Sequence, residues 1–174
     1  AKELTYRLEP YNMREHTGFL RNVMIRVGAN TDEVMVNIVT SREDQKALNT
    51  IVESLIKSFP SITSIVNNIT TRKSGVSIGE HQVVLHGNEY MVEILGEYNF
   101  MISADSFFQT NTRQAEKLYD IILEESKLTG KEIVYGLFCG TGSISLYISK
   151  YAKMVYGFEM VMSSVQDAMQ NAAY

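Results

Sequence analysis

The sequence is short of the residues that build disulfides and metal centres. Cys139 is the only cysteine among 174 residues, which excludes an internal disulfide and a cysteine cluster for zinc or iron–sulfur within these residues. The three histidines, His16, His81 and His86, have no ligand-like spacing to carboxylates or to the cysteine. We therefore predict no metal site, and any cluster would have to lie outside this sequence.

Long apolar runs and an excess of basic residues are missing as well. No run approaches the roughly 20 residues that span a bilayer, and the start Ala1-Lys2-Glu3 lacks a signal-peptide pattern. These features predict a cytoplasmic protein. The chain has 16 Lys and Arg against 20 Asp and Glu, whereas sequence-independent nucleic-acid binding needs a basic surplus. Any RNA contact must therefore come from a local group of residues.

The first hundred residues are rich in alternating apolar and β-branched runs, which predict strands. The predicted strands are residues 19–27, 34–40, 62–70, 82–86, 89–95 and 100–103. A helix is predicted between the second and third of them, capped by Ser41 with Asp44 three residues on and ended by Pro60. Gly87-Asn88 predicts a two-residue hairpin turn between the fourth and fifth strands. We therefore expect an α+β domain with one mainly antiparallel sheet backed by at least one helix.

The pattern changes after Ser103 to alternating strands and helices. Asn111 predicts the cap of a helix, with Gln114 at its third position. The elements predicted next are a strand at 132–138, a helix at 143–152, a strand at 154–158 and a helix at 160–174. This order is the opening of a doubly wound, Rossmann-like sheet, which normally has five or more parallel strands. We expect an incomplete domain, left by a cut, by proteolysis, or by a partner chain that completes the sheet through segment exchange.

A glycine-rich turn follows the first of these strands. Gly140 and Gly142 allow a ligand to approach backbone N–H groups, and Glu159 ends the next strand, where a carboxylate can accept hydrogen bonds from ribose hydroxyls. A turn that only needs small residues is the alternative. Ser145 stands where a dinucleotide fingerprint has its third glycine, so nicotinamide or flavin binding fits less well than S-adenosylmethionine.

Cys139 lies inside this turn, and a thiolate there could act as a nucleophile. No histidine or other base is close to it in the sequence. We therefore predict a structural role for this cysteine.

The segment that precedes the Asn111 cap contains Phe107, Phe108 and Gln109. Aromatic rings and amides together suit the recognition of an RNA base by stacking and by hydrogen bonds to its edge. By residue type alone, two core phenylalanines beside a helix cap are the better interpretation.

Three arginines near the N-terminus, Arg14, Arg21 and Arg26, are grouped in an otherwise acidic chain. They could form a strip that contacts RNA phosphates. Solvated surface arginines explain the same grouping equally well.

Three motifs together resemble the RNA (uracil-5-)-methyltransferases of the RumA and TrmA type. They are His16-Thr17-Gly18-Phe19-Leu20-Arg21, Ser106-Phe107-Phe108-Gln109-Thr110-Asn111 and Leu137-Phe138-Cys139-Gly140-Thr141-Gly142. The motifs occur in the order and spacing of that family and span nearly the whole chain. The match is therefore far more specific than any one motif.

The resemblance implies an enzyme with an OB-like RNA-binding domain, sometimes an iron–sulfur segment, a central α+β domain and a Rossmann-like catalytic domain. Residues 1–104 resemble the central domain, and residues 105–174 the truncated start of the catalytic one. In such enzymes a cysteine attacks C6 of a flipped-out uridine, C5 takes the methyl group of S-adenosylmethionine, and a base removes the C5 proton. The resemblance places nucleophile and base beyond Tyr174, so these residues alone are expected to be inactive, and it favours 23S rRNA over tRNA as the substrate.

The resemblance also implies the site residues. Cofactor contacts are expected at Gln109, Phe138, Gly140, Gly142, Ser143 and Glu159, and RNA contacts at Arg14, Arg21, Arg26 and Phe108. No residue of this chain is expected to be catalytic. Gly136 stands where the family usually has an aspartate that orders the cofactor loop, so a degenerate family member that binds RNA without catalysis is the alternative.

Overall fold

The computed structural model describes residues 8–73 and 79–174; the start Ala1-Lys2-Glu3, where no signal peptide is predicted, lies outside them. The chain divides into two compact units. The first comprises the described residues up to Val27 and those between Asp32 and Met91, and the second comprises Gly28–Thr31 and Val92–Tyr174. In the described part of the chain, no helix has both the length and the apolar composition of a membrane span.

Both units combine helices with strands, which confirms the predicted mixture of α and β structure. The elements in chain order are β1 Leu20–Val27, β2 Val34–Thr40, α1 Gln45–Ser58, β3 Ser64–Ile69, β4 His81–Gly87, β5 Tyr90–Leu95, β6 Tyr98–Ser103, α2 Thr112–Ser126, β7 Ile133–Leu137, α3 Ser143–Ser149, β8 Met154–Phe158 and α4 Met162–Ala173.

The first unit contains a four-stranded sheet in the order β1-β2-β3-β4. β1 and β2 are antiparallel, β2 and β3 are parallel, and β3 and β4 are antiparallel. The helix α1 and the sheet share one apolar core, since apolar residues on one side of a helix and one face of a sheet leave water together. This core consists of Phe19, Val36, Ile38, Ala47, Leu48, Val52, Ile62 and Ile65.

The start of α1 differs from the prediction that Ser41 caps it. Asp44 is the N-cap residue, and its carboxylate accepts a hydrogen bond from the Ala47 N–H at 3.1 Å. Ser41 still belongs to the end of the sheet, because its N–H donates to the Phe19 carbonyl and its hydroxyl donates to the Gly18 carbonyl. The predicted cap was therefore three residues too early.

The predicted hairpin around Gly87-Asn88 is wrong. β4 pairs with β3, whereas β5 pairs with β6 in a separate two-stranded sheet. Gly87 has a φ of +67°, and a Cβ there would lie 1.9 Å from the Thr63 carbonyl oxygen. A glycine is needed at position 87 because the Thr63 backbone lies too close for a side chain. The two-residue turn Gly96-Glu97 instead joins the paired strands β5 and β6.

The second unit contains the predicted strand–helix–strand order after α2. The Asn111 side chain accepts from the Gln114 N–H at 3.1 Å and so caps α2 as predicted. β7 and β8 are parallel, in a register from Ile133 opposite Met154 to Leu137 opposite Phe158, and α3 connects them. The carboxyl ends of both strands therefore lie at the same edge of this small sheet.

One face of the β7–β8 pair is strongly apolar and exposed. Alternate residues of a strand share a face, and those on this face are each between 48% and 68% exposed. They are Ile133, Tyr135, Leu137, Met154, Tyr156 and Phe158, which we call the open sheet face. Parallel sheets are normally covered on both faces.

Candidate functional site

The loop after β7 has an unusual backbone. Phe138 has a φ of +55° although it is not glycine, and Gly140 and Gly142 have φ values of +55° and +80°. Left-handed backbone at a non-glycine residue is uncommon, and residues held in strained conformations cluster at active and ligand-binding sites; His16 and Lys127 are the other cases among the described residues. The Phe138 side chain is 88% exposed, and a Cβ added at Gly140 would meet no atom within 4 Å. The loop therefore leaves space beside Gly140 at the carboxyl edge of the sheet, although the N–H groups of Gly140 and Gly142 already donate to the Glu159 carboxylate and the Cys139 carbonyl.

Glu159, directly after β8, is tied to this loop. One carboxylate oxygen accepts from the Gly140 N–H at 3.0 Å, and the other accepts from the N–H groups of Met160 and Val161 at 2.8 and 2.9 Å. The N–H of Val161, followed by those of Gly140 and Met160, lowers the pKa of this carboxyl. Two carboxylate oxygens accept about four hydrogen bonds, so Glu159 keeps capacity for a ligand hydroxyl.

Ser143 is the first residue of α3, and its hydroxyl contacts the Tyr119 hydroxyl at 2.8 Å. Tyr119 is buried on α2, and this burial raises the pKa of its phenol. The contact fixes the position of the Ser143 side chain. The sequence weakly indicated that Tyr119 is buried, because it lies four residues after Ala115 on the apolar side of α2.

Gly136 and Gly157 lie opposite each other in the β7–β8 register. A Cβ at Gly136 would lie 2.6 Å from the Ser145 Oγ, and one at Gly157 would lie 2.8 Å from the Cys139 Sγ. The two glycines therefore allow α3 and its preceding loop to approach the sheet closely. Gly136 thus has a packing reason in this chain, because it leaves room for the Ser145 side chain.

The environment of Cys139 favours the neutral thiol. Burial, followed by the charge of Glu159, raises the pKa of this thiol. A nucleophilic cysteine needs the opposite shift, because the thiolate is the reactive form. The raised pKa is consistent with a structural role for Cys139, which stays a prediction.

The two phenylalanines before α2 differ sharply in environment. Phe108 is 7% exposed and packs against Phe100 with ring centroids 5.6 Å apart, whereas Phe107 is 70% exposed. Gln109 is half-buried. A base-stacking role for Phe108 stays a prediction, and the ring that is accessible to a base is that of Phe107.

The three arginines also differ. Arg14 is exposed, and Arg21 and Arg26 are half-buried. One terminal nitrogen of Arg21 donates to the carbonyls of Thr70 and Arg72 at 3.0 and 2.7 Å, and its guanidinium lies 4.3 Å from the Tyr11 ring centre. The Arg21 guanidinium is therefore engaged within the first unit, and RNA contacts by these arginines stay a prediction. Within residues 8–73 and 79–174, no group of three or more His, Cys, Asp or Glu side chains is arranged to hold a metal ion.

A model of the tRNA (Uracil-5-)-methyltransferase family matches residues 31–174. The chain belongs to this family. It is 46% identical over 166 residues to an RNA methyltransferase of Chlorobaculum tepidum and 42% identical over 163 residues to one of Bacillus cereus. These matches cover 95% and 94% of this chain but 34% and 36% of the relatives, so the chain spans about a third of their length.

Solved structures agree with this assignment. The Pyrococcus abyssi tRNA (uracil-54, C5)-methyltransferase, in complex with S-adenosyl-L-homocysteine, is 29% identical with a TM-score of 0.77, over 99% of this chain and 41% of that one. The tRNA m1G37 methyltransferase of M. jannaschii is 16% identical with a TM-score of 0.50, over 93% of this chain and 47% of that one. The second match shows similarity of fold alone. The resemblance drawn from the three sequence motifs is confirmed.

Proposed function

We propose that the full-length protein, meaning a protein of the relatives' length that contains these 174 residues, methylates C5 of a uridine in RNA and uses S-adenosylmethionine. The observation that carries the proposal is the bond from the Gly140 N–H to Glu159, which joins the glycine loop to the strand-end acid in a chain of this family. The similarity to a uracil-C5 methyltransferase in complex with S-adenosyl-L-homocysteine supports the same cofactor.

The residues present fit an adenosine-containing cofactor. Glu159 is an ionised acceptor with capacity for one ribose hydroxyl beside its three N–H partners, and the lack of a side chain at Gly140 lets the ligand approach. The remaining residues proposed to hold the cofactor are Gln109, Phe138, Gly142 and Ser143. The cofactor, when bound, supplies the methyl group.

We propose that these 174 residues contribute to cofactor binding and are not sufficient for methyl transfer. Attack on C6 of the uracil requires a thiolate, and the only cysteine in this sequence is Cys139, whose pKa is raised. The nucleophile and the base that removes the C5 proton would come from other parts of the full-length protein. A Cys139→Ala variant of that protein should keep its activity.

The domain organisation is also proposed from membership of this family. We propose that residues 105–174 open a Rossmann-like methyltransferase domain, with β7, α3 and β8 as its first strand–helix–strand unit, and that residues 1–104 form the central domain of the family. A cytoplasmic location is proposed on the same family basis.

The decisive experiment incubates the full-length protein with S-adenosylmethionine labelled in its methyl group and with RNA. Label at uridine C5, lost in a Glu159→Ala variant, is the expected result. Wild-type protein that leaves no label at uridine C5 would overturn the proposal. Full activity of the 174-residue chain alone would overturn the proposal that these residues are not sufficient for methyl transfer.

We propose 23S rRNA over tRNA as the substrate. This choice rests on the resemblance of the three sequence motifs, whereas the matching family model and the 29% identical Pyrococcus abyssi enzyme are both named for tRNA, so tRNA is the competing substrate. Parallel assays on 23S rRNA fragments and tRNA transcripts separate the two classes. Label in tRNA alone would contradict this part of the proposal and leave the reaction intact.

Gly136 favours a second candidate, an RNA-binding family member without catalysis. The acid that this position usually carries in the family would add a charge-assisted contact, worth on the order of 1.5–3 kcal/mol. Under this alternative, RNA binding by the full-length protein weakens with salt and in a variant of the exposed Arg14, Arg14→Ala, while calorimetry detects no cofactor. Tight binding of S-adenosyl-L-homocysteine in the same measurement would exclude it.

A further inference from the structure

Two polar side chains on α4 contact the glycine loop and the segment before Gln109. Asp167 and Asn171 are four residues apart, so they lie on the same side of the helix. Asn171 is 6% exposed and Asp167 is half-buried. Buried polar side chains are normally hydrogen-bonded. The partners of Asp167 and Asn171 come from two separate segments of the second unit, residues 101–106 and the loop at Thr141.

Asp167 holds the segment that leads to Gln109. One of its carboxylate oxygens accepts from the Ser103 hydroxyl at 2.9 Å and also from the Ser106 hydroxyl. The two serine hydroxyls contact each other at 2.5 Å, and the Ser106 N–H donates to the Ser103 carbonyl at 3.2 Å. Ser106 is 4% exposed, so this carboxylate fixes the turn three residues before Gln109.

Asn171 holds the glycine loop. Its side-chain N–H donates to the Thr141 carbonyl at 3.1 Å, and its side-chain oxygen accepts from the Met101 N–H at 2.7 Å. Thr141 lies between Gly140 and Gly142 and is 2% exposed. One amide therefore connects the loop after β7 to the strand β6.

The helix is also seated directly on the loop. A Cβ added at Gly142 would lie 3.2 Å from the Ala168 Cβ. Ala168, which stands between Asp167 and Asn171 in the sequence, therefore packs directly against the loop. Asp167, Ala168 and Asn171 thus make α4 a common support for the loop and for the segment before Gln109.

We propose that Asp167 and Asn171 are positioning residues of the cofactor site: they hold the glycine loop and the Gln109 segment in fixed relation to each other. This inference rests on the proposed function, because it assumes that both segments contact the cofactor. Neither side chain is expected to touch the reacting atoms. Their loss should therefore weaken cofactor binding and leave the turnover at saturating cofactor nearly unchanged.

The test measures binding of S-adenosyl-L-homocysteine by calorimetry and steady-state kinetics in the full-length protein. Asp167→Ala is expected to raise the Kd and the KM for the cofactor by about tenfold, since a bond to a charged group is lost. Its kcat at saturating cofactor should stay within about threefold of wild type. Asp167→Asn keeps an acceptor for the serines and should restore most of the affinity, whereas Gln166→Ala, on the exposed side of α4, should bind as wild type does.

Thermal unfolding of each variant separates positioning from a loss of folded protein. If Asp167→Ala does not fold, Ser106→Ala decides the question, because it removes one donor and should raise the Kd in the same direction. Unchanged affinity in the folded Asp167→Ala and Asn171→Ala variants, or in Ser106→Ala where they do not fold, would overturn the inference. Wild-type protein that does not bind S-adenosyl-L-homocysteine would instead overturn the proposed function.

Discussion

At the scale of single residues, Glu93 is a buried carboxylate whose hydrogen bonds are satisfied. It is 3% exposed and accepts from the N–H groups of Ala29, Asn30 and Ile94 at 2.6, 3.0 and 2.9 Å, and from the Thr112 hydroxyl at 2.9 Å. A buried charge is stable only when its partners replace the lost water. Glu93 therefore connects three separate segments of the second unit.

Removal of this carboxylate should be strongly destabilising. Glu93→Ala leaves four donors without their acceptor, and we expect the free energy of unfolding to fall by about 3 kcal/mol or more. Glu93→Gln keeps one acceptor oxygen and should lose less. Urea unfolding measures both, with Glu125→Ala on the exposed side of α2 as the control. A Glu93→Ala variant as stable as this control would contradict the assigned role.

Phe107 and Phe108 form a matched pair for a second measurement. Phe108→Ala removes a ring packed in the core and should lower the free energy of unfolding by about 3–5 kcal/mol. Phe107→Ala removes an exposed ring and should stay within about 0.5 kcal/mol of wild type. Equal losses in thermal unfolding of the two variants would show that the burial of these rings is assigned incorrectly.

At the scale of elements, a hydrogen bond from the Gly140 N–H to the Glu159 carboxylate joins the segments that follow β7 and β8. Backbone N–H groups lower the pKa of Glu159 from its ordinary value of 4.5. A carboxyl whose pKa is lower in the folded state stabilises that state above its unfolded pKa, and this contribution is lost as the pH falls through the folded pKa. The loop is therefore expected to loosen in acid.

A carbon-13 NMR titration of the Glu159 carboxyl tests this pH dependence. The midpoint should lie below 4.5, and the Gly140 amide resonance should shift with the same midpoint because the two groups share a hydrogen bond. In the Glu159→Gln variant the Gly140 shift should disappear. A Glu159 midpoint at or above 4.5 would show that these N–H groups do not hold the ionised carboxylate.

The contact of β7 with α3 gives a prediction about Gly136. A Gly136→Asp variant places its Cβ against the Ser145 Oγ and should be less stable than wild type. Ser145→Gly frees this space, so the double variant should recover stability, with a coupling of about 1 kcal/mol in a double-mutant cycle. Additive losses would mean that the two residues do not share this space.

The elements also show what local sequence can predict. Alternation located the strands, and the Asn111 cap was confirmed, because both depend on residues a few positions apart. The pairing of β4 with β3 depends on Thr63, which approaches Gly87 from another strand, so the hairpin signal at Gly87-Asn88 was misleading. The contacts of Asp167 and Asn171 were missed for the same reason, since helix spacing does not reveal partners in distant segments.

At the scale of the whole molecule, the open sheet face exposes six large apolar side chains on the second unit. A contiguous apolar patch of this kind usually marks a surface that is covered in the functional state. In the full-length protein we expect the remaining residues to cover it. In the 174-residue chain alone, a second copy is the occupant available.

We therefore predict that the 174-residue chain self-associates, by contact of open sheet faces or by exchange of segments. Sedimentation velocity should show oligomers that increase with concentration, and Tyr135→Lys with Tyr156→Lys should reduce them, because two charges disfavour apolar contact. Exposed Met169→Lys on α4 serves as the control. A chain that stays monomeric at all measurable concentrations would contradict this prediction.

The membership of Gly28–Thr31 in the second unit has a practical consequence for dividing the gene into expressible pieces. These four residues connect β1 to β2, yet Ala29 and Asn30 donate to Glu93. An expression product that begins at residue 92 would lack both donors, and one that begins at residue 105 would separate Thr112 from Glu93. We therefore expect the second unit to be more stable in a polypeptide that also contains residues 28–31 than in one that begins at residue 92 or 105.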